Sequence, residues 1–239
     1  MKKVVLFFAL IVGLLVSAST LQSQVNMSRY ITLTVTNGAA IKLDFQAAAN
    51  GTPIRIVSGS NTQDITVGTD WKGTASYTAN APTMTIYGDI INFKCSENGA
   101  NLTAIDVSQN TQLTELGCRD NKLTDLDVSG CTQLTKLYCN NNTLNSLDVS
   151  QNTQLKELYC GSNQLTTLDV SQNTQLTLLN CRDNKLSNLD ISHNTQLMGL
   201  YCSDNTLSSL DVSHNTQLTA LNCSSNTLSS LDVSKNTQL

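Results

Sequence analysis

The chain repeats itself every 21 residues, and this periodicity constrains its fold more than any other feature. The consensus LxxLxCxxNxLxxLDVSxNTQ runs in register from Leu113 to Gln238, a span that holds six full copies. A looser copy with a two-residue insertion precedes them, from Ile90 to Gln112. A fixed period of this length predicts a solenoid, in which each repeat forms one coil and packs against its neighbours. The function is then restricted to what a stacked, elongated surface can do.

The first residues predict a secretory signal peptide at residues 1–18. Lys2 and Lys3 precede an apolar run at 4–16, which is too short to span a bilayer. The sequence VSA at 16–18 fits a cleavage site. We therefore expect a secreted or cell-surface protein with no membrane span after removal of the signal. A linker is expected at residues 19–26.

Residues 27–89 differ from the repeats and alternate apolar with polar positions. Two such runs flank Asn37-Gly38, a strong hairpin signal: Ile31, Leu33 and Val35 before it, and Ile41, Leu43 and Phe45 after it. Further short runs lie at 54–57, 65–67, 75–78 and 83–88. The pattern predicts a small all-β module that caps the first coil, because a terminal repeat otherwise exposes its core. The single tryptophan, Trp71, is interpreted as a packing residue of this cap.

Within each repeat, the LxC segment predicts a short strand. In the copy that starts at Leu134, Leu137 and Cys139 point inward, while Lys136 and Tyr138 point outward. Seven such strands from residues 90–239 are expected to stack in parallel, about 4.8 Å apart. The return path carries further apolar residues, and a single coil buries too little to fold alone.

Three polar columns have the same period as the apolar ones. Two asparagine columns are predicted to satisfy turn carbonyls and amides, including those of adjacent coils. An aspartate column is interpreted as local turn capping, because one carboxylate per coil is too few for calcium. The first asparagine column is Asn121, Asn142, Asn163, Asn184, Asn205 and Asn226; the second is Asn110, Asn152, Asn173, Asn194, Asn215 and Asn236; the acids are Asp127, Asp148, Asp169, Asp190, Asp211 and Asp232.

The cysteines also form a column rather than the paired spacing of zinc sites or a disulfide framework. Side chains that point the same way on parallel strands fit disulfide torsions poorly. We expect buried, inert thiols at Cys95, Cys118, Cys139, Cys160, Cys181, Cys202 and Cys223. Cys131 is separate, since it replaces an asparagine of the second column, and it is also interpreted as structural.

Charge and motif content argue against several function classes. The net charge is −4, and residues 96–239 carry twice as many acidic as basic residues, which argues against nucleic-acid binding. His193 and His214 share one slot but lack a third ligand, so no metal or other cofactor is predicted. No catalytic motif or fixed nucleophile occurs, and the chain is not expected to be an enzyme.

The consensus resembles the 21-residue repeat of secreted bacterial leucine-rich repeat proteins, most closely the cysteine-ladder branch of the internalins and related surface proteins of anaerobic bacteria. The resemblance covers residues 90–239 and implies a right-handed leucine-rich repeat solenoid, with a parallel β-sheet on the concave face and turns or 3-10 segments on the convex side. It also implies ligand binding on the concave face. The β module at 27–89 departs from the helical cap of internalins.

The outward strand positions are where the repeats stop being identical, so a binding site is expected there. Exposed tyrosine and arginine side chains are favoured at interface hot spots. The candidate ligand-binding residues are Arg119, Lys136, Tyr138, Glu157, Tyr159, Leu178, Arg182 and Tyr201. The alternatives are that Tyr138 and Tyr159 only shield their neighbours in the sheet, and that Lys136 between Glu115 and Glu157 is only a charge ladder.

Leu239 starts a further repeat, which suggests a truncated array. An uncapped last coil is expected to expose Leu218, Leu221, Cys223, Leu228, Leu231 and Val233, and thereby to promote self-association. The sequence thus predicts a binding or adhesion module for a protein or glycan ligand. Two alternatives stay open: an appendage of a larger surface protein with a catalytic or anchoring domain elsewhere, and a structural surface component without a specific ligand.

Overall fold

The computed structural model of the protein describes residues 24–239. The predicted signal peptide and residues 19–23 of the predicted linker lie outside the described residues. Residues 24–239 form fourteen strands and no helix, so none of them lies in a helix that could cross a membrane. The strands are β1 (Tyr30–Val35), β2 (Ala40–Ala47), β3 (Thr52–Ser58), β4 (Asn61–Val67), β5 (Ala75–Thr78), β6 (Thr83–Tyr87), β7 (Ile90–Lys94), β8 (Leu102–Asp106), β9 (Glu115–Gly117), β10 (Lys136–Tyr138), β11 (Glu157–Tyr159), β12 (Leu178–Asn180), β13 (Gly199–Tyr201) and β14 (Ala220–Asn222).

Two sheets enclose the core of the N-terminal cap. One is antiparallel, with the strand order β4-β3-β6-β1-β8, and the other contains β5, β2 and β7. Leu33 of the first sheet and Ile41 of the second are fully buried in one continuous core. The ring of Phe45 in β2 lies 5.6 Å from that of Phe93 in β7. The N-terminal module is therefore all-β, as its alternating sequence predicts.

The hairpin predicted at Asn37-Gly38 is wrong. β1 pairs with β6 and β8, whereas β2 pairs with β5 and β7, so the turn connects two different sheets. Gly38 adopts a left-handed φ of 84°, but its N–H donates to Ala79 rather than across a hairpin. Because each strand already has a long-range partner on both edges, the local turn signal does not decide the pairing.

The repeat array forms a parallel ladder that is continuous with the cap. Strands β7 and β9–β14 pair in parallel, which confirms the seven predicted strands, and β2 and β5 extend this sheet to nine. The register matches residues 21 apart, such as Leu137 with Leu158. The return path of the first coil differs from the others, because its strand β8 pairs with β1 of the cap. The first coil therefore joins both sheets.

The inside and outside of each coil follow the predicted alternation. Leu137, Cys139, Leu144 and Val149 are fully buried, whereas Tyr138 is partly exposed. The return paths consist of turns and bends, and no 3-10 segment occurs in residues 24–239. Just before Asn98, and just before each of the six asparagines of the first column, one residue has a left-handed φ between 52° and 61°: Glu97, Asp120, Asn141, Ser162, Asp183, Asp204 and Ser225. These left-handed residues turn the chain sharply after each parallel strand of the array.

The first asparagine column forms the predicted hydrogen-bond ladder. The side-chain amide of Asn142 donates to the carbonyls of Cys118 and Cys139, both at 3.0 Å. Its oxygen accepts from the N–H of Leu123, in the preceding coil, at 3.0 Å. One side chain therefore satisfies backbone groups of two coils that would otherwise be buried without partners.

The second column satisfies carbonyls but not amides, which corrects part of the prediction. Asn173 donates to the carbonyls of Val149 and Asn152, both at 2.9 Å. The side-chain oxygens of this column have no hydrogen-bond partner, and neither amide atom of Asn110 has one. Each turn of the return path presents carbonyls to its neighbour, so only the donor half of the asparagine side chain is used.

The aspartate column caps turns, as predicted. The carboxylate of Asp148 accepts a hydrogen bond of 2.9 Å from the N–H of Ser150, and the other five aspartates bond the serine two residues on in the same way. These hydrogen bonds hold the pKa of each carboxyl below its usual value.

The apolar residues of the last coil are more exposed than those of the other coils, as predicted, except for Leu218. Leu221, Cys223, Leu228 and Leu231 are half-buried and Val233 is exposed. Leu218 is fully buried, so its predicted exposure is wrong. Leu239, 21 residues on, occupies the position equivalent to Leu218 in the following repeat. The other apolar residues of the last coil have no such equivalent.

Candidate functional site

The variable residues of the array lie together on one surface, which we call the strand face. It consists of three rows that run across the sheet at right angles to the strands. The first row is Asn92, Glu115, Lys136, Glu157, Leu178, Gly199 and Ala220; the second is Lys94, Gly117, Tyr138, Tyr159, Asn180, Tyr201 and Asn222; the third is Ser96, Arg119, Asn140, Gly161, Arg182, Ser203 and Ser224. The structure thus places all eight predicted site residues on this face.

Four of the predicted residues form a connected group, the tyrosine cluster: Lys136, Tyr138, Glu157 and Tyr159. The two tyrosine rings lie 5.0 Å apart with an interplanar angle of 33°. The hydroxyl of Tyr138 donates to Oε2 of Glu157 at 2.7 Å, and Nζ of Lys136 lies 2.9 Å from Oε1 of the same carboxylate. Glu157 therefore fixes both Lys136 and Tyr138, and the paired rings form a rigid, partly exposed platform.

The pKa shifts of the tyrosine cluster follow from these contacts. Burial, together with the hydrogen bond to Glu157, raises the pKa of Tyr138 well above its usual value. Burial alone would raise the pKa of Glu157, but the hydrogen bonds from Lys136 and Tyr138 outweigh it and the pKa is lowered. The hydrogen bond to Glu157 raises the pKa of Lys136. At neutral pH the cluster therefore holds a carboxylate, an ammonium and two neutral phenols.

The charges of Glu115, Lys136 and Glu157 alternate in sign along the first row, as in a charge ladder, and Lys136 and Glu157 form an ion pair. Glu115 does not share Lys136 with Glu157 but pairs with Lys94, at 3.4 Å. The ladder and the tyrosine platform therefore coexist, and Glu157 belongs to both. Lys136 forms an ion pair with Glu157 and its side chain is still partly exposed on the strand face.

The remaining predicted residues lie apart from the tyrosine cluster. Leu178 and Tyr201 are half-buried on either side of Gly199, where an added Cβ would lie 3.4 Å from the Tyr201 ring and 3.6 Å from Leu178. Arg182 is exposed and forms no ion pair with any residue in the range 24–239. Met198, which the sequence prediction omitted, is 49% exposed. The sequence could have indicated it, because the equivalent position of the other full repeats holds threonine or lysine.

A second feature of the strand face, which the sequence prediction missed, is a depression of about 330 Å³ at the boundary with the cap. We call it the junction cleft. Arg119 and Tyr138 are the predicted residues that reach it. Its polar lining comes from β2, from β7 and β9 with the segments that follow them, and from the residue before β5: Lys42, Thr74, Lys94, Ser96, Glu97, Glu115 and Arg119. Trp71 contacts this lining and is half-buried, rather than in the cap core.

The cysteines and histidines offer no reactive group to either feature. All eight cysteines are free, and all except the half-buried Cys223 are buried, as predicted. Burial raises the pKa of Cys95 and Cys202 to about 12, so these thiols stay protonated at neutral pH. His193 and His214 lie exposed on the return side. Among residues 24–239 no three His, Cys, Asp or Glu side chains are grouped so that they could hold a metal ion.

Comparison with known proteins identifies the repeat type. Residues 111–152 match the family model described as leucine-rich repeats in two copies. The functional domain of InlJ from Listeria monocytogenes, which includes a cysteine ladder, is 49% identical with a TM-score of 0.62, and the match covers 63% of this chain and 33% of that one. InlF, an internalin of the same organism, is 26% identical with a TM-score of 0.53, over 55% of this chain and 41% of its own. A comparison with curated protein sequences finds no match.

Proposed function

We propose that this leucine-rich repeat protein, whose array has the internalin-like fold and a cysteine ladder, is an exported, non-enzymatic module that binds a protein or glycan ligand through its strand face. The chain spans a third of the InlJ chain that it matches, so a role within a larger surface protein is compatible with the proposal. Export is supported by the charged and apolar residues at 1–18.

The tyrosine cluster is the observation that carries the binding proposal. Tyr138 and Tyr159 stack at 5.0 Å, and Glu157 fixes one of them through its hydroxyl. Rings that are already immobilised lose little conformational entropy on binding, and large aromatic side chains dominate interface energetics. The buried thiols stay protonated at neutral pH, which is compatible with a non-enzymatic module.

The test compares two tyrosine pairs. In the double variant Tyr138→Ala/Tyr159→Ala, we expect at least a tenfold loss of affinity for ligands that the wild type binds on arrays of secreted proteins and of glycans. The matched control is Tyr30→Ala/Tyr87→Ala, whose half-buried rings lie 5.6 Å apart on adjacent strands of the cap. The control should retain binding, because its pair lies outside the strand face.

Two outcomes would contradict the proposal. If the wild type binds nothing on either array, a structural surface component becomes the better interpretation. If both double variants bind as the wild type does, the ligand uses another surface. Which of the two arrays yields the ligand decides between a protein and a glycan.

A further inference from the structure

The junction cleft is built by both modules of the protein. Lys42 comes from β2 of the cap, Lys94 from β7 of the first coil, and Arg119 follows β9 of the next coil. These strands are neighbours in the nine-stranded sheet. Gly117 lies between Lys94 and Tyr138 in the second row, and an added Cβ would lie 2.9 Å from Cγ of Lys94. The absence of a side chain at Gly117 lets the aliphatic part of Lys94 lie across β9.

The three cations of the cleft differ in how fully they are paired. Arg119 forms short charge-assisted hydrogen bonds with Glu97 and Asp120, at 2.5 Å and 2.7 Å. The nearest carboxylate oxygen lies 3.7 Å from Nζ of Lys42 and 3.4 Å from Nζ of Lys94. Both separations exceed ordinary hydrogen-bond lengths, in contrast to the 2.9 Å of the Lys136–Glu157 pair. The two ammonium groups of the cleft therefore keep N–H donors for an incoming acceptor.

Trp71 fixes the position of one of the two donors. Nζ of Lys94 lies 3.6 Å from the centre of the Trp71 ring, which places the ammonium over a face of the indole. This cation–π contact holds the ammonium in place. Two ammonium groups with available donors at one depression provide the charge and the hydrogen bonds that a single carboxylate side chain needs.

We propose that the junction cleft binds the carboxylate of an aspartate or glutamate in a protein ligand, with Lys42 and Lys94 as its hydrogen-bond donors. This inference rests on the proposed function and specifies the ligand chemistry at one end of the strand face. The acidic residue enters beside Tyr138, so the cleft and the tyrosine cluster contact the same ligand. The pairing is charge-assisted and weakens as salt concentration rises.

The first experiment uses Trp71, the only tryptophan of the chain, as the reporter. The protein is titrated with the peptide acetyl-SESES-amide, with its uncharged counterpart acetyl-SQSQS-amide, and with oligogalacturonate as an acidic glycan. We expect a saturable change in tryptophan fluorescence with the acidic peptide alone, and its suppression by 0.5 M sodium chloride, which is about five times the concentration that reduces the screening length to roughly 10 Å. An equal response to the uncharged peptide, or a response to the glycan alone, would overturn the proposal.

The second experiment locates the binding with variants, followed by polarisation of a fluorescein-labelled acidic peptide. Lys42→Gln/Lys94→Gln removes both donors and is expected to weaken binding by about tenfold or more. Gly117→Thr keeps both charges but displaces the Lys94 side chain, because an added Cβ would lie 2.9 Å from its Cγ, and it should also weaken binding. The matched control is Lys122→Gln/Lys185→Gln, which removes two exposed charges from the return paths and should change affinity less than about twofold.

The outcomes separate this proposal from the proposed function. If the control and the Lys42/Lys94 variant weaken peptide binding equally, the effect is nonspecific charge and the cleft proposal is overturned. If Tyr138→Ala/Tyr159→Ala abolishes binding of an array ligand and the Lys42/Lys94 and Gly117 variants do not, the strand face binds and the cleft does not. Circular dichroism of each variant establishes that the fold is retained.

Discussion

In the repeat array each strand pairs with the strands one period before and after it, whereas in the cap each strand pairs with partners at irregular distances along the chain. Leu137 pairs with Leu158 and Leu116, but Leu33 of the cap pairs with Met84 and Ile105. In the array, the sequence period determines which strands pair. In the cap, strand pairing depends on how the strands pack around one shared core. The two meet in β7, which pairs with the cap on one edge and the array on the other.

The largest expected effect tests whether β7 makes the two regions one cooperative unit. Phe93→Ala removes a fully buried ring that packs against Phe45, and it should lower the free energy of unfolding by about 3–5 kcal/mol. We expect equal shifts of the urea midpoints followed by Trp71 fluorescence and by far-UV circular dichroism. Unequal shifts would mean that the cap and array unfold independently.

Leu200→Ala provides the matched change inside the array. Leu200 is fully buried in β13, and its loss should cost about 2–5 kcal/mol. Because the array and the cap share one continuous core, the dichroism and Trp71 midpoints should fall together in this variant too.

The second effect compares the two asparagine columns. Asn163 donates to the carbonyls of Cys139 and Cys160 and accepts from the N–H of Leu144, whereas Asn173 makes only its two donor bonds. Replacement by alanine should therefore cost roughly 3 kcal/mol at 163 and roughly 2 kcal/mol at 173. Urea unfolding measures both, and the reverse order would show that the unpaired oxygen of the second column is itself stabilising.

The third effect is a gain in stability at the interruption of the second column. Sγ of Cys131 lies 3.9 Å and 3.8 Å from the carbonyl oxygens of Val107 and Asn110, which an asparagine amide in that slot would bond directly. Cys131→Asn should therefore raise the free energy of unfolding by about 1 kcal/mol. Cys139→Asn is the control, since it places an amide in the strand column and should destabilise. A lower urea midpoint for Cys131→Asn would contradict the ladder interpretation.

The smallest effect is a pH dependence that distinguishes the array from the cap. The folded pKa of each turn-capping aspartate lies below its unfolded value of about 3.9, so its contribution is complete above that value and is lost as pH falls through the folded pKa. The urea midpoint should fall below about pH 4. Asp148→Asn with Asp169→Asn should reduce this slope, whereas Asp64→Asn in the cap should leave most of it. If the pH dependence of the urea midpoint is unchanged in the Asp148/Asp169 variant, these aspartates do not cause it.

The period predicted the array well because every position has five or more equivalents to support it. The inward direction of Leu137 and Cys139, the buried free thiols and the turn-capping aspartates are confirmed. The same reasoning was incomplete for the second asparagine column, because sequence spacing shows which side chains are aligned and not which of their atoms find partners.

Prediction was weaker in the cap because local signals do not specify strand partners. Asn37-Gly38 marks a real turn, yet burial in two facing sheets separates the strands on either side of it. The junction cleft was missed for a related reason, since Lys42 and Trp71 have no equivalents in the repeats. Extending the second row back by one coil would have found Lys94, which aligns with Gly117 and Tyr138. Whether the predicted ligand-binding residues bind a ligand stays a prediction.

The nearest-neighbour ladder of the array also makes its length adjustable. Gain or loss of one whole 21-residue unit beyond β11 would leave every hydrogen bond of β7, β9 and β10 in place, and so would preserve the junction cleft and the tyrosine cluster. Where the unit lies between β11 and β13, the distance from Tyr159 to Tyr201 would change by one strand spacing. Gain or loss of whole repeats can thus alter how far the strand face extends while its end at the cap is kept constant.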